Sequence, residues 1–374
     1  MKNAGRIYLS PPSTGDEERA LIAKAFDSGY IAPCGPFVDE FEKRLAKLAN
    51  RKFAVAVSSA TAALDLAMAE YGVDETWVVI APTLTFIATV GPAFHRGARI
   101  VFVDSDETGN IDITLLEEAL KEYCSFSPHL MIIGVDLYGR CSRNGEIARL
   151  ALRYGAKFIL DSAEAVGAIS QDGPAGSQGE MAVFSFNGNK IITTSGGGAL
   201  LCDDEEKAAR ARKRSQQSRE NVPWYEHTEV GYKYRMSNIL AALGLAQLEK
   251  LPRFIERKKE IFRRYKEGLS PFGWEFLPSV EGENYWLTIA LAPSQDARDN
   301  ALRKLEQANI EARCVWKPMH LQSVFAQARV FGRKVSENLF NRGICLPSGS
   351  GLSNDEIERI ILLLCPRPKS ENLL

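Results

Sequence analysis

A carboxylate and a lysine in one central stretch, Asp161 to Leu200, are the residues best suited to carry chemistry. Asp161 directly follows an apolar run typical of a strand, and Lys190 lies in a segment, residues 184–198, that is rich in glycine and hydroxyl side chains. Such a segment suits a tight loop around an anion better than it suits a helix or a regular strand. Because a lysine held in this way can attack a carbonyl carbon, we interpret Lys190 as a Schiff-base nucleophile.

A second candidate anion site lies where a predicted strand turns into a predicted helix. The run Phe53 to Val57 predicts a strand, Ser58-Ser59-Ala60-Thr61 a turn, and Ala62 to Ala69 a helix. Free N–H groups at the helix start and the side-chain hydroxyls of the turn would then face one point. Ordinary N-capping by serine explains the same pattern without a ligand, and the local residues alone favour this simpler explanation.

The elements that must position these residues alternate along the chain. Strand-like runs occur at 53–57, 77–81, 99–103, 130–135, 157–160, 182–186 and 198–202, and helical patterns separate several of them. This alternation predicts βαβ units and a mainly parallel sheet that is covered on both faces. Asp161 would lie at the carboxyl end of its strand, where open α/β sheets bind their ligands.

The length of the chain predicts two domains. At 374 residues it exceeds the roughly 250–300 residues at which one hydrophobic core usually splits. We predict a large domain at 1–250 and a small C-terminal α/β domain at 251–374. A small-residue helix from Ile239 to Leu248 would be followed by a charged helix from Pro252 to about Leu269 that bridges the two domains.

Composition and charge exclude several classes of protein. A formal net charge of −1 argues against the broad basic surface of a nucleic-acid-binding protein. The seven cysteines are scattered without a CxxC pair, so neither a disulfide framework nor a metal site is predicted. Residues 1–12 lack a signal-peptide core, and no apolar run approaches the roughly 20 residues of a membrane span. We therefore expect a cytoplasmic protein without membrane insertion.

Several motifs together carry a resemblance to a known family. They are Ile31-Ala32-Pro33 with Gly35-Pro36, Asp161 to Ala168, Ser185 to Lys190, Tyr225 to Glu229 and Lys317 to His320. With them the chain resembles, over nearly its whole length, the DegT/DnrJ/EryC1/StrS family of pyridoxal-phosphate (PLP) sugar aminotransferases. The most similar members aminate C4 of UDP-4-keto-6-deoxy-N-acetylglucosamine in bacillosamine biosynthesis. The resemblance implies the PLP-dependent transferase fold type I, with a mainly parallel seven-stranded sheet in the large domain.

The resemblance also implies roles for individual residues. Lys190 would bond to the PLP aldehyde, Asp161 would keep the pyridine nitrogen protonated, and Phe86 would stack on the pyridine ring. The other implied cofactor contacts are Ser59, Ala60, Thr61, Glu164, Ser185, Asn187 and Lys233. The residues implied on the substrate side are Glu164, His227, Arg235, Arg313, Lys317 and His320.

This chain departs from the family pattern at three of its positions. Ala60 replaces the usual glycine of the phosphate turn, and Ser162 replaces the commoner alanine. Lys233 replaces an asparagine that, in the homodimer with shared active sites implied by the resemblance, reaches the partner subunit's PLP phosphate. A lysine could make the same contact as a point charge or turn away.

The function implied by the resemblance is transfer of an amino group from L-glutamate to a keto-sugar nucleotide, giving an amino sugar. Other substrates stay open, namely dTDP- or GDP-linked sugars aminated at C3 or C4. A related sugar dehydratase would have histidine in place of Lys190. A sensor that keeps the fold without activity is a further alternative. A nucleotide-binding dehydrogenase would need a GxGxxG motif after the first strand, where this chain has Ser58-Ser59-Ala60-Thr61.

Overall fold

The computed structural model describes residues 5–125 and 127–365. The strands are β1 (Phe53–Val57), β2 (Val78–Pro82), β3 (Arg99–Val103), β4 (Leu130–Val135), β5 (Lys157–Asp161), β6 (Ile169–Ser170), β7 (Gly173–Pro174), β8 (Met181–Ser185), β9 (Gly198–Cys202), β10 (Glu275–Phe276), β11 (Thr288–Leu291), β12 (Arg313–Cys314), β13 (Arg329–Phe331) and β14 (Gly343–Leu346). The α-helices are α1 (Asp16–Asp27), α2 (Pro36–Leu48), α3 (Ala60–Glu70), α4 (Gly91–His95), α5 (Ile113–Tyr123), α6 (Asn144–Tyr154), α7 (Glu205–Ser215), α8 (Asn238–Leu269), α9 (Gln295–Gln307), α10 (Lys334–Arg342) and α11 (Asn354–Leu364).

A large mixed sheet forms the centre of the protein, in the order β1-β9-β8-β5-β4-β2-β3-β13. Its strands are parallel except for β9, which runs antiparallel to both of its neighbours. The inner strands are buried and rich in valine, isoleucine and leucine, as expected for a sheet covered on both faces. Separate apolar clusters of buried residues lie on the two faces.

Within residues 5–125 and 127–365 this sheet has eight strands, one more than the seven predicted. The additional strand, β13, comes from the C-terminal part of the chain and pairs in parallel with β3. Its three residues form too short a run to be recognised from local sequence. Pairing satisfies backbone groups that would otherwise be exposed at the edge of β3, and Val330 and Phe331 become buried.

A second, antiparallel sheet in the order β10-β11-β14-β12 packs against α8, α9 and α11 around its own buried cluster. The predicted helices 239–248 and 252–269 form one continuous helix, α8, with Pro252 inside it. Proline removes one helical hydrogen bond, but both halves of α8 are held by packing, against α1 and α2 at one end and α11 at the other. The predicted domain division at 250/251 falls inside this helix and stays a prediction.

The N-terminal segment is bound to the second sheet's half of the chain. Ile7 forms a parallel bridge with Ile310, and the N–H of Leu9 donates to Glu311 Oε2 at 3.1 Å. Among the described residues, none of the helices is both long and apolar enough to cross a membrane.

Candidate active site

One cavity of about 280 Å³ brings Asp161, Glu164 and Lys190 together. Its floor is formed at the carboxyl ends of β4 and β5, since Val135 and Asp161 are the last residues of those strands. The start of α3 forms one side of the cavity, and Trp286 and Trp316 from the C-terminal half form another. The cavity therefore lies where a parallel sheet is expected to bind a ligand.

Asp161 is a buried carboxylate with two hydrogen-bond donors. Thr89 Oγ1 donates to Oδ2 at 2.8 Å, and the N–H of Ala163 donates to Oδ1 at 3.1 Å. Thr89 is itself hydrogen-bonded to the hydroxyl of Thr85 at 2.8 Å. Burial raises the pKa of Asp161, while these donors and the charge of Lys190 oppose the rise. A cationic group beside Asp161 would stabilise its charged form and offset the effect of burial.

Glu164 is held by the backbone of Tyr138 and faces the amine of Lys190. The N–H of Tyr138 donates to Oε2 at 2.7 Å, and Lys190 Nζ lies 3.4 Å from Oε1. Burial raises the pKa of Glu164, and the charge of Lys190 counteracts it. Tyr138 is buried with a φ of 53°, a left-handed conformation that is unfavourable for a bulky residue. This local strain points its N–H towards the carboxylate.

Lys190 is largely buried, with its side chain 13% exposed. Besides Glu164, its amine contacts the face of Trp286, with Nζ 4.0 Å from the centre of the ring. Lys190 is therefore enclosed by a carboxylate and an aromatic ring, and both of these groups attract its ammonium group.

The turn predicted before the helix lies at the start of α3. Ser59 caps the helix, with its Oγ accepting from the N–H of Ala62 at 3.0 Å. The first N–H groups of an α-helix have no partners within the helix, so those of Ala60 and Thr61 are directed to this end. Gly198 lets β9 approach closely, because a Cβ there would lie 2.4 Å from Ala60 N.

The remaining lining residues fit a phosphorylated aromatic group. Ser185 and Asn187 face the same cavity as Ser59, Ala60 and Thr61, so hydroxyl, amide and helix N–H donors meet at one end of it. Phe86 lines the cavity with half of its side chain exposed. Its ring is tilted against Trp316, with ring centres 5.4 Å apart. Donors suited to a phosphate, an open aromatic face, a buried acid and a lysine match the chemical groups of PLP.

Three predicted residues lie away from the cavity in this chain. Arg235 is buried, where its Nη1 forms an ion pair with Glu42 and donates to the carbonyl of Ala56 at 2.9 Å. His227 is exposed, and its Nδ1 lies 2.9 Å from the carbonyl oxygen of Gln217. Lys233 is also exposed. The structure therefore does not bring these three side chains to Lys190.

The predicted residues from the C-terminal half do not line the cavity that holds Lys190. His320 is buried, with Nδ1 2.7 Å from Thr83 Oγ1 and Nε2 3.0 Å from Glu337 Oε1, so both ring nitrogens are engaged in holding the fold. Lys317 and Arg313 are exposed, and Arg313 pairs with Glu311 at 2.8 Å.

A second cavity, of about 620 Å³, adjoins the first. Arg313 and the N-terminal segment from Tyr8 to Pro12 line it. Phe86, Trp286 and Trp316 line both cavities. The aromatic side chains therefore form a shared wall between the lysine and a larger, open space.

Sequence reasoning missed Thr89, Tyr138 and Trp286. Tyr138 follows β4 closely, so the rule that ligands gather at the carboxyl ends of strands could have found it. Thr89 follows Thr85 by four positions, which was a weak signal. Nothing in the local sequence connects Trp286 with Lys190, because the tertiary fold alone brings them together.

Comparison with known proteins agrees with this geometry. Residues 12–364 match the model of the DegT/DnrJ/EryC1/StrS aminotransferase family. The chain is 42% identical to EpsN of Bacillus subtilis strain 168, which is assigned as a pyridoxal phosphate-dependent aminotransferase, over 96% of this chain and 95% of that protein. It is 33% identical to the GDP-perosamine synthase of Caulobacter vibrioides, over 97% of this chain and 99% of that protein.

Solved structures give the same result for the fold. The structure of Spr1654 from Streptococcus pneumoniae, assigned as a sugar aminotransferase and solved in its pyridoxamine phosphate (PMP) form, superimposes with a TM-score of 0.88. The two chains are 27% identical, and 96% of each is covered. That protein has also been solved in its PLP form. The predicted fold type I and the PLP cofactor are confirmed, and the chain belongs to the DegT/DnrJ/EryC1/StrS family of PLP-dependent sugar aminotransferases.

Proposed function

We propose that this aminotransferase moves the amino group of L-glutamate to C4 of a nucleotide-linked 4-keto-6-deoxy sugar, with UDP-4-keto-6-deoxy-N-acetylglucosamine as the first candidate. The observation that carries the proposal is the meeting of Lys190 and Asp161 in one cavity with the phosphate-binding donors of α3. The motifs at 31–36, 185–190, 225–229 and 317–320 support the choice of sugar by their resemblance.

Bound PLP would supply an aldehyde that accepts the amino group and a ring that withdraws electrons from the reacting carbon. Asp161 is the residue to hold the ring nitrogen, because a buried carboxylate stabilises the protonated form of that nitrogen. Phe86 offers a face for the ring. Ser59, Ala60, Thr61, Ser185 and Asn187 are the residues to hold the phosphate end.

Lys190 has two tasks in this proposal. Its Nζ is the nucleophile that holds the cofactor, and once released it carries a proton away from the α-carbon of the amino donor. Glu164 Oε1 lies 3.4 Å from this amine and can hold it as an ammonium ion while it carries the proton. Tyr138 fixes the other oxygen of Glu164, so the carboxylate has one oxygen free for the lysine.

The adjoining cavity is the proposed site for the nucleotide. A sugar nucleotide is much larger than the amino donor, and the cavity of about 620 Å³ opens directly beside the aromatic wall. Its diphosphate is anionic and requires a cation, and Arg313 lines this cavity with an exposed side chain. Lys317, exposed nearby in sequence, is proposed as a second cation. His320 has a supporting role, since both ring nitrogens already have partners.

A GDP-linked sugar is the second candidate. The GDP-perosamine synthase of Caulobacter vibrioides, which is 33% identical over nearly the whole of both chains, supports it. The two candidates differ in the base and the sugar while sharing the diphosphate, so both would use the same cations.

We also propose a homodimer that shares its active sites. Ile87, Phe94 and Val324 are each 44–50% exposed, and together with Ser59 and Thr61 they line a third cavity beside the phosphate turn. Exposed apolar groups of this kind are typical of protein interfaces. Lys233 and His227, which lie outside the cavity of their own chain, would then act on the partner subunit's site. Light scattering during size-exclusion chromatography tests the dimer, and a monomer at all concentrations would contradict it.

The function is tested by incubating the purified protein with PLP, L-glutamate and a panel of keto-sugars linked to UDP, GDP or dTDP. Mass spectrometry and NMR then identify the amino sugar and the aminated carbon. Turnover of GDP- or dTDP-linked sugars alone would refute the UDP assignment and leave the aminotransferase assignment intact.

Replacing the proposed nucleophile tests the catalytic assignment. Lys190→Ala should abolish both turnover and the covalent link to PLP, because no other amine is placed at that point of the cavity by the described residues. Lys24→Ala, which removes an exposed lysine of α1, is the matched control and should behave as the wild type. Wild-type turnover in Lys190→Ala would contradict the assignment.

A further inference from the structure

Trp286 lines the cavity, and each of its polar groups forms a hydrogen bond. Its backbone N–H donates to Asn284 Oδ1 at 2.9 Å, and its indole Nε1–H donates to the carbonyl of Asn189 at 2.8 Å. Its own carbonyl accepts from Lys258 Nζ at 3.0 Å. Because every polar group of Trp286 has a partner and the side chain is 1% exposed, the ring is fixed in one orientation.

Asn284 is buried and connects Trp286 to the segment that carries Glu164. Asn284 donates through Nδ2 to the carbonyls of Glu164 and Val166, at 3.1 and 3.0 Å. One amide side chain therefore joins the backbone of the acid to the backbone of the aromatic residue. A change in the position of either would break hydrogen bonds in a buried environment, which is costly.

Lys258 fixes the other side of Trp286. It is fully enclosed, and its amine donates to the carbonyls of Trp286 and Ser348, at 3.0 and 2.6 Å. Burial lowers the pKa of Lys258 to about 7. This amine therefore joins α8 to the segment before β11 and to the segment after β14.

The fixed ring faces the reacting amine. Lys190 Nζ lies 4.0 Å from the centre of the Trp286 ring and 3.4 Å from Glu164 Oε1. An aromatic face attracts an ammonium ion, and the attraction increases when water is excluded. Glu164 and Trp286 therefore define one place for the amine, and Asn284 sets the distance between them.

We propose that Trp286 is a positioning residue that holds the released amine of Lys190 beside Glu164 while the amine carries its proton. The role rests on the proposed function of Lys190 as a proton carrier. Without the ring, the lysine side chain would sample other rotamers, and the amine would less often be in place for proton transfer. The lost cation–π contact alone corresponds to a decrease of roughly threefold to thirtyfold.

The test compares Trp286→Leu, which removes the aromatic face, with Trp286→Phe, which keeps an aromatic face but loses the indole N–H and the second ring. Trp77→Leu is the matched control, because Trp77 is also buried but lies next to the start of β2, at the opposite end of the sheet from the cavity. Thermal unfolding of all three variants reports any general loss of stability.

The first measurement does not depend on the substrate or on turnover. The full-length chain is treated with an acylating reagent before PLP is added, and mass spectrometry follows the modification of Lys190 over time. Trp286→Leu should increase the labelling rate about tenfold, whereas Trp286→Phe and Trp77→Leu should stay within about threefold of the wild type. An unchanged rate in Trp286→Leu would overturn the proposal.

The second measurement uses the PLP-loaded enzyme. In Trp286→Leu the kcat should fall roughly threefold to thirtyfold with little change in the KM for the amino donor, and Trp286→Phe should recover most of it. An equal decrease in Trp77→Leu would show that general packing causes the effect and would refute the positioning role. If the wild type transfers no amino group, the proposed function fails, while the labelling result still decides whether Trp286 holds the amine.

Discussion

The hydroxyl of Thr89 should control the charge of Asp161 and, through it, the affinity for PLP. Thr89→Val keeps the shape of the side chain and removes the donor that lies 2.8 Å from Asp161 Oδ2. The backbone N–H of Ala163 then stays as the donor to the other oxygen. Because burial already raises the pKa of Asp161 and Thr89 opposes the rise, the substitution should raise this pKa further.

The size of the effect follows from the chemistry of the hydrogen bond. A hydrogen bond to a charged group contributes about 1.5–3 kcal/mol, which corresponds to a shift of roughly one to two pKa units. In the proposed function PLP binding uses the charged form of Asp161, so binding should weaken as the pH falls through the pKa of this acid. In Thr89→Val the midpoint of that decrease should lie roughly one to two pH units higher than in the wild type.

The assay is a titration of the protein with PLP at a series of pH values, followed by absorbance of the bound cofactor. Thr85→Val is the matched control, because the hydroxyl of Thr85 contacts Thr89 at 2.8 Å without being hydrogen-bonded to Asp161. It should shift the midpoint less than Thr89→Val. The reasoning is refuted if Thr89→Val, folded as the wild type by thermal unfolding, keeps the wild-type midpoint, or if Thr85→Val shifts it equally.

Two further predictions concern the elements around the cofactor. Ser162→Ala removes the 2.6 Å hydrogen bond to Asp136 Oδ2. Burial raises the pKa of Asp136 to about 6, so this acid is charged in the folded protein only above that pH. Urea unfolding should therefore show that the free energy of unfolding falls by about 1.5–3 kcal/mol at pH 8 and by less at pH 5. An equal loss at both pH values would contradict this. Gly198→Ala places a Cβ 2.4 Å from Ala60 N and should weaken PLP binding at least about tenfold. Gly196→Ala, whose Cβ would have no neighbour nearer than 3.9 Å, should weaken it less. Equal PLP affinities of the two variants would count against the close approach of β9 to α3.

The sequence predicted the parts of the site that depend on neighbouring residues. The strand before Asp161 and the turn at Ser59 are recognisable because a buried strand and a helix start each have a local pattern. All seven predicted strands of the large sheet are present, with ends that agree to within about one residue. The position of Lys190 in a loop was also predicted, because the glycine and hydroxyl residues around it form a local pattern.

The remaining parts depend on contacts between distant segments. Arg235 was predicted on the substrate side, but it is buried because Glu42 and the carbonyl of Ala56 bind its guanidinium, and no local pattern reveals those partners. Trp286 reaches Lys190 from the opposite half of the chain. Ser162, which had no interpretation in the sequence, donates to Asp136. These pairings are set by tertiary packing, which local periodicity does not encode.

The path of the chain has a consequence for biosynthesis. Ile7 pairs with Ile310, and β13 completes the large sheet from residues 329–331. During translation Ile7 must wait until Ile310 has been made, and the edge of β3 stays uncovered until residues 329–331 have left the ribosome. A nascent chain of this enzyme therefore exposes an unpaired strand edge while the residues between β3 and β13 are made, and chaperones can protect that edge during this period.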